Sequence, residues 1–324
     1  MAVPEMDPQI NMFGSELRIQ TIQQSGLTWL NIERPTTKEM NYLQEQYKFH
    51  PLDLEDCLSR IQRPKIDEYD EYVFILLHFP RFHKDTRAML PSQVCIFVGR
   101  DYLVTIHSGE LKPMTRLFRE CSIDRSLCYE NMKRGAGYLL YYIIDELVDY
   151  CYPILDKIGA NLDEAEDRAL VETSIKNVEE TLLIRRNITA FRRIIRPQIK
   201  ILNSLEHKRW EFLPQNTDED LDIYFGNIGD HLNKIWDLLE EYREDINTIS
   251  DINNWLTSHH LQEIMRIMAI VAAVVSPMLI IPSIYGMNVP LPLGHSKWGF
   301  PVLVGAMVLL FVILIRFVRK RGWL

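Results

Sequence analysis

Two long runs of apolar residues lie close to the C-terminus of the 324-residue chain. No Asp, Glu, Lys or Arg occurs from Ile267 to Gly294, and the run from Trp298 to Ile315 is equally free of charge. Each run is long enough to cross a hydrocarbon core about 30 Å thick as a helix, whereas a buried core helix rarely stays uncharged for so long. The pattern therefore predicts two transmembrane helices, a first span at about 267–285 and a second span at 298–315.

The charges that flank the two spans are unequal. The loop at 286–297 carries a single lysine, whereas the second span is followed by a basic tail at 316–324 that begins with Arg316 and Arg319. Basic flanks mark the cytoplasmic side of a membrane, so we expect both termini in the cytoplasm and the loop outside. The N-terminus has no basic start followed by an apolar stretch, and no cleaved signal peptide is expected.

Ahead of the first span, apolar residues recur at intervals that alternate between four and three. This heptad seam comprises Leu221, Phe225, Ile228, Leu232, Ile235, Leu239, Tyr242, Ile246 and Ile249. Because no proline occurs at 215–276, the segment 214–285 is predicted to form one helix, on the order of 100 Å long, that runs into the first span. Packing within one subunit would also produce the seam, but so long a helix has more surface than one subunit covers. We therefore expect self-association about the helix axis.

Residues 1–137 mix strand and helix patterns. Runs rich in β-branched and aromatic residues at Glu71–Phe79 and Gln93–His107 predict strands, and the second run turns at Gly99 to form a hairpin. The segments Thr36–Tyr47 and Pro51–Ser59 predict helices, opened by a capping threonine and by a proline. An α+β fold class follows, with a cytoplasmic α/β domain placed ahead of the long helix.

Residues 138–213 predict a charged helical hairpin, with one helix from Tyr138 to about Glu172 and a second that ends near Phe212. The second helix carries a basic cluster: Arg185, Arg186, Arg192, Arg193 and Arg196. Nucleic acid is not expected as a partner, because the chain has a formal net charge of −8 and no motif that reads bases. We expect the cluster to face the acidic neighbour helix instead.

The sequence contains no glycine-rich phosphate loop, nucleophile elbow or metal-ligand spacing, so it indicates neither an enzyme nor a bound cofactor. The histidines of the first half are expected to be structural: His50, His78, His83 and His107. An acidic patch is expected to be a solvated helix face: Asp53, Glu55 and Asp56. The five cysteines lack C-x-x-C spacing and are expected to be free thiols in or near the core.

A Gly286-Met287-Asn288 tripeptide directly follows the first span, and "KWGFP" opens the second. A tripeptide alone is a weak motif, but upstream lie "HPLDLEDCLSRIQRPKIDEYDEYVFILLHF" and "QVCIFVGRDYLVTIH". Over nearly its whole length the chain resembles the CorA family of divalent-cation transporters. The resemblance implies a funnel-shaped homopentamer in which the first span of each subunit lines a pore.

Matched by position from the tripeptide, the resemblance places a pore stripe on the first span. The stripe comprises Gln262, Met265, Met268, Ala272, Ser276, Leu279 and Ser283, with Asn288 at the outer mouth. These residues include no carboxylate, and Mg²⁺ gives up its water reluctantly, so the ion should pass substantially hydrated. The expected selectivity filter is a ring of Asn288 amides with the carbonyls of Gly286 and Met287, which contact the metal through its hydration shell. Met265 and Met268 are expected to gate the pore by dewetting.

The function implied is passive, channel-like uptake of Mg²⁺, with Co²⁺ and Ni²⁺ also admitted, across the cytoplasmic (inner) membrane. Closure is expected when cytoplasmic Mg²⁺ bridges acidic residues between subunits, and the sequence does not identify those residues. Two alternatives stay open. A zinc transporter of the same superfamily is one, because the outer loop lacks acids and contains His295. A membrane-anchored interaction protein with a vestigial pore is the other, because Leu279 stands where the family commonly has a polar residue.

Overall fold

The structure is a computed structural model that describes residues 11–12, 17–59, 62–171, 174–205, 210, 218–286 and 298–321. The chain divides into a first unit, Met1–Ser250, and a second unit, Asp251–Leu324. The first unit contains a β-sheet and the helices that pack on it. The second unit contains the two apolar spans.

Seven strands of the described chain form one sheet in the order β1-β2-β3-β7-β6-β5-β4. Neighbours are antiparallel except β3 and β7, which are parallel. The strands are β1 (Asn11–Met12), β2 (Ile19–Gln24), β3 (Leu27–Glu33), β4 (Lys65–Glu68), β5 (Tyr72–His83), β6 (Ala88–Gly99) and β7 (Tyr102–His107). The predicted hairpin is confirmed as β6 and β7. The sequence patterns did not predict β2, β3 and β4.

Seven helices of the described chain lie ahead of the long helix. They are α1 (Thr37–Tyr47), α2 (Pro51–Leu58), α3 (Lys112–Ile123), α4 (Arg125–Met132), α5 (Ala136–Asp149), α6 (Cys151–Val171) and α7 (Ile175–Leu205). Thr36 and Glu39 form a capping box at the start of α1, and Pro51 occupies the first turn of α2, as their sequences predict. One helix was expected over 138–172, but the chain has two. Pro153 lacks an N–H and cannot bond the carbonyl of Asp149, so the helix divides there.

The sheet is covered on both faces. On one face α1 and α2 enclose an aromatic cluster in which the Phe49 and Phe97 rings stack with centroids 4.1 Å apart. Residues that alternate with this cluster, such as Ile75 and Ile96, are also fully buried. Both faces of the central strands are therefore buried in the core. Helices α5 and α7 contact β6.

The acidic patch on α2 is not the solvated face that the sequence predicted. Asp53 is buried, and Lys65 of β4 places its ammonium 3.4 Å from the Asp53 carboxylate and 2.8 Å from the Asp56 carboxylate. The helix sequence does not reveal this lysine, because it arrives on a neighbouring strand. Asp53 and Asp56 belong to an internal ion-pair network, and Glu55 alone of the three is exposed.

The arginines of α7 also differ from expectation. Arg192 pairs with Glu240 of the long helix rather than with the acidic α6, and the guanidinium of Arg196 lies 6.0 Å from the Trp236 ring centroid. Arg186 donates to the carbonyls of Thr86 and Arg87 in the turn between β5 and β6. The cluster therefore joins α7 to the long helix and to the sheet.

The long helix is confirmed as α8 (Asp218–Tyr285). Its heptad seam, however, is covered within the single chain: Ile228, Leu232, Ile235 and Leu239 are fully buried. Helices of the same subunit provide the cover. The centroid of the Phe225 ring lies 6.4 Å from that of Tyr141 of α5, and the Tyr242 hydroxyl lies beside Gly159 of α6. Packing within one subunit, the alternative given for the seam, therefore accounts for it. Self-association about the helix axis stays a prediction and would use other faces of α8.

The second span lies in α9 (Gly299–Lys320). The helix continues through Arg316 and Arg319, so these residues belong to its last turns and not to a separate tail. All five cysteines of the chain are free and buried, as predicted.

Candidate pore and metal sites

The predicted pore stripe lies on one face of α8. At 3.6 residues per turn, Gln262 through Ser283 of the stripe fall within an arc of about 120°. The long members are strongly exposed in the chain by itself: Met265 is 68%, Met268 69% and Leu279 67% exposed. The second unit therefore leaves this stripe uncovered.

The opposite face of α8 is the covered one. Ile270 is buried, and the half-buried residues of the span lie on the same side of the helix: Val274, Pro277, Met278 and Ile281. On α9, the less exposed residues also fall mainly on one face: Leu303, Met307, Leu310, Leu314 and Val318. Each helix thus has one packed side, and on α8 that side is turned away from the stripe.

The chemistry of the stripe is uncharged throughout. Between Gln262 and the end of α8 its only polar groups are the hydroxyls of Ser276 and Ser283. Neutral oxygens are weak ligands for a bare divalent ion, but they hydrogen-bond well to the water that the ion carries. A passage lined by this face could hold a hydrated cation without trapping it.

The selectivity tripeptide is only partly described. The amide of Gly286 donates to the carbonyl of Pro282 at 2.9 Å, which closes the last turn of α8. Met287 and Asn288 lie outside the described residues, so their predicted filter role stays a prediction. His295 also lies outside them.

A second candidate site lies in the first unit, where Asp145 and Asp149 of α5 meet His231 of α8. The ligand atoms of the three side chains lie within 4.8 Å of one another, and His231 Nδ1 is 3.8 Å from an Asp149 carboxylate oxygen. Asp145 Oδ1 and His231 Nδ1 are buried and have no hydrogen-bond partner. Burial, and then the neighbouring Asp149 carboxylate, raise the pKa of Asp145.

Two carboxylates and one imidazole are a ligand set for a divalent ion, and a cation there would relieve the repulsion between the carboxylates. This cluster was not predicted from the sequence, because Asp145 and His231 are far apart along the chain. The available signal was the spacing of the two aspartates, one turn apart on a helix.

Comparison with known proteins agrees with this architecture. The family model described as "CorA-like Mg2+ transporter protein" matches residues 24–320. YfjQ of Bacillus subtilis is 31% identical over 312 residues, which cover 94% of this chain and 93% of that protein. The "Cobalt/magnesium transport protein CorA" of Thermotoga maritima is 29% identical over 299 residues, with 92% of this chain and 83% of that protein covered.

Among solved structures, the CorA magnesium transporter of Methanocaldococcus jannaschii superimposes with a TM-score of 0.82 at 24% identity. The match covers 96% of this chain and 100% of that one. At this identity the superposition shows the fold, which is the predicted one: an α+β unit, a long helix and C-terminal apolar helices. Two described helices are long and apolar enough to cross a membrane.

These findings define a membrane transporter of divalent cations and not an enzyme. The chain belongs to the CorA-like Mg²⁺ transporter family.

Proposed function

We propose that this protein is a passive, channel-like uptake system for Mg²⁺ in the inner membrane, which also admits Co²⁺ and Ni²⁺. The observation that carries the proposal is the uncharged stripe of α8, which is exposed on the face opposite to the packed one. The names of the relatives supply magnesium and cobalt as the cargo.

The assembly proposed is a homopentamer with the stripe of each copy around a common axis. The exposure of Met265, Met268 and Leu279 supports contact between copies along this face, and the number five comes from the family resemblance. The heptad seam takes no part, because helices of its own subunit cover it. The basic end of α9 supports an orientation with both termini in the cytoplasm.

Uptake by this route needs no chemical fuel. A divalent ion that enters a compartment with an inside-negative potential gains about 4.6 kcal/mol per 100 mV, twice the value for one charge. The protein has only to lower the barrier for a hydrated ion and to discriminate among ions. We assign discrimination to the ring of Asn288 amides with the carbonyls of Gly286 and Met287.

The gate is assigned to the methionines of the stripe, because apolar side chains around a narrow pore exclude water and the hydrated ion with it. Met268→Ser should raise the resting Mg²⁺ flux severalfold in proteoliposomes, since a hydroxyl keeps the constriction wet. Met278→Ser is the matched control, because Met278 lies on the packed face of the same span. Equal Mg²⁺ fluxes through the two variants would refute the assignment of Met268 to the gate.

Regulation is assigned to the Asp145, Asp149 and His231 cluster, which we propose as a cytoplasmic metal sensor. Asp149→Asn removes one ligand and should weaken the Co²⁺-dependent rise in the thermal midpoint of the full-length protein, with an apparent affinity lower by about tenfold or more. Asp167→Asn, an exposed change on α6, should leave that affinity as it is. If both variants respond to Co²⁺ like the unchanged protein, the sensor lies elsewhere.

The function itself is tested with purified protein in liposomes that contain a Mg²⁺-sensitive dye. Under an inside-negative potential, the proposal requires Mg²⁺ entry that Co²⁺ inhibits by competition. Preferred transport of Zn²⁺ at matched free-ion concentrations would indicate the zinc transporter instead. Absence of flux for every metal would indicate an interaction protein with a vestigial pore.

A further inference from the structure

A cavity of about 680 Å³ opens at one end of the sheet in the first unit. It lies where β3 and β7 end, and these two are the parallel neighbours among the described strands. Arg34 directly follows β3, and Ser108 directly follows β7. Ligands of α/β proteins commonly bind outside the carboxyl ends of parallel strands, and the volume is in the usual range for small-molecule sites.

Three arginines line this cavity: Arg18, Arg34 and Arg81. Glu110 is the carboxylate among the described lining residues, and its Oε1 lies 2.8 Å from an Arg81 Nη2. Glu33 Oε1 is 4.0 Å from Arg34 Nε, at the limit of an ion pair, and Glu33 does not line the cavity. The described lining therefore has an excess of two positive charges in a chain whose net charge is −8.

The backbone holds two of these arginines in place. Arg34 has a left-handed backbone, with φ at 57°, which costs free energy for a residue with a Cβ. Its amide donates to the carbonyl of His107 at 2.8 Å, which ties the ends of the two parallel strands together. Arg18 Nη1 donates to the Arg34 carbonyl at 3.2 Å. The Arg18 and Arg34 side chains therefore meet at the opening of the cavity, one from the residue before β2 and the other from the residue after β3.

The described floor of the cavity offers one further donor. Arg81 Nε is buried and has no hydrogen-bond partner. The Ser108 hydroxyl donates to a Glu110 carboxylate oxygen at 3.2 Å and lies 3.4 Å from the Ser92 hydroxyl. Guanidinium forks match the oxygens of phosphate in pairs, and the unpaired Arg81 Nε–H is a donor of that kind. The transport pathway uses none of these residues.

We propose that this cavity is a binding site for a small phosphate-bearing anion of the cytoplasm. The arginines neutralise the phosphate oxygens, and the Arg81 Nε–H donates to an oxygen that faces the floor. This site is independent of the pore stripe, and its occupation is measurable without any transport.

The test is isothermal titration calorimetry of the full-length protein in detergent with inorganic pyrophosphate, in metal-free buffer at about 150 mM salt, where screening is physiological. We expect saturable binding, and Arg34→Gln should weaken it by about tenfold or more, since one charge-assisted contact is lost. The matched control is Arg87→Gln. Arg87 also has a left-handed backbone, with φ at 48°, and is exposed, but it does not line the cavity.

The control should bind pyrophosphate within about twofold of the unchanged protein, because surface charge far from the site is largely screened at this salt. Thermal midpoints of both variants establish that they are folded. If Arg34→Gln does not fold, Arg18→Gln serves as the second cavity variant. Failure of the unchanged protein to bind millimolar pyrophosphate would overturn the proposal. Equal weakening by Arg34→Gln and Arg87→Gln would overturn it as well, because binding would then be non-specific.

Discussion

Asn288→Ala should lower Mg²⁺ uptake by at least about tenfold while the protein still assembles in the membrane. Each subunit loses one amide that hydrogen-bonds to the water of the hydrated ion, and such a bond to a charged or polarised partner contributes about 1–3 kcal/mol. Since the loss is repeated in every subunit around the axis, the barrier rises by more than one contact. The measurement is initial Mg²⁺ entry into liposomes at fixed potential, with the amount of incorporated protein determined in parallel.

Asn161→Ala is the matched control, because Asn161 is an exposed asparagine on α6 in the first unit. Its flux should equal that of the unchanged protein. Unchanged uptake by Asn288→Ala would remove the amide ring from the mechanism, although the pore stripe could still conduct. Loss of assembled protein would instead assign the asparagine a structural role.

Ile235→Ala should destabilise the first unit by about 2–5 kcal/mol, the usual cost of a cavity left by a large aliphatic side chain. Ile235 lies in the middle of the heptad seam and is fully buried in the single chain. Because helices of the same subunit provide the cover, the loss should appear even where subunits are dissociated. Chemical unfolding followed by circular dichroism in detergent measures it.

Ile223→Ala is the comparison, since Ile223 is on the same helix and is 72% exposed. It should change the free energy of unfolding by no more than about 0.5 kcal/mol. A large effect of Ile223→Ala in the assembled protein would show that a neighbouring copy covers that side of α8. Equal small effects of both variants would contradict the packing of the seam.

The heptad seam shows what the periodicity of apolar residues can predict about packing. Alternation of four and three placed Leu232 and Ile235 on one covered face, and the structure confirms that face. The pattern did not identify what covers this face, because a buried stripe has the same spacing whether the cover comes from α5 or from another subunit. The pore stripe was placed by family resemblance and stays a prediction, since periodicity alone does not distinguish a pore face from a packed face.

Long-range contacts explain the other differences. Asp53 and Asp56 look like a solvated face in the α2 sequence, but β4 brings Lys65 to them. The arginine cavity depends on the parallel pairing of β3 with β7, between which three other strands occur along the chain. Helix α9 continues past the predicted end of the second span, because charge marks a membrane boundary and does not stop a helix.

The buried thiols have a practical consequence. All five cysteines are enclosed in the first unit, and burial raises the pKa of Cys121 and of Cys128 to about 11. At neutral pH these thiols are almost entirely protonated and are shielded from solvent, so maleimide reagents should not label them. A single reporter such as Met265→Cys can therefore be labelled in the otherwise native protein, and accessibility along the predicted pore stripe can be mapped without first making a cysteine-free background.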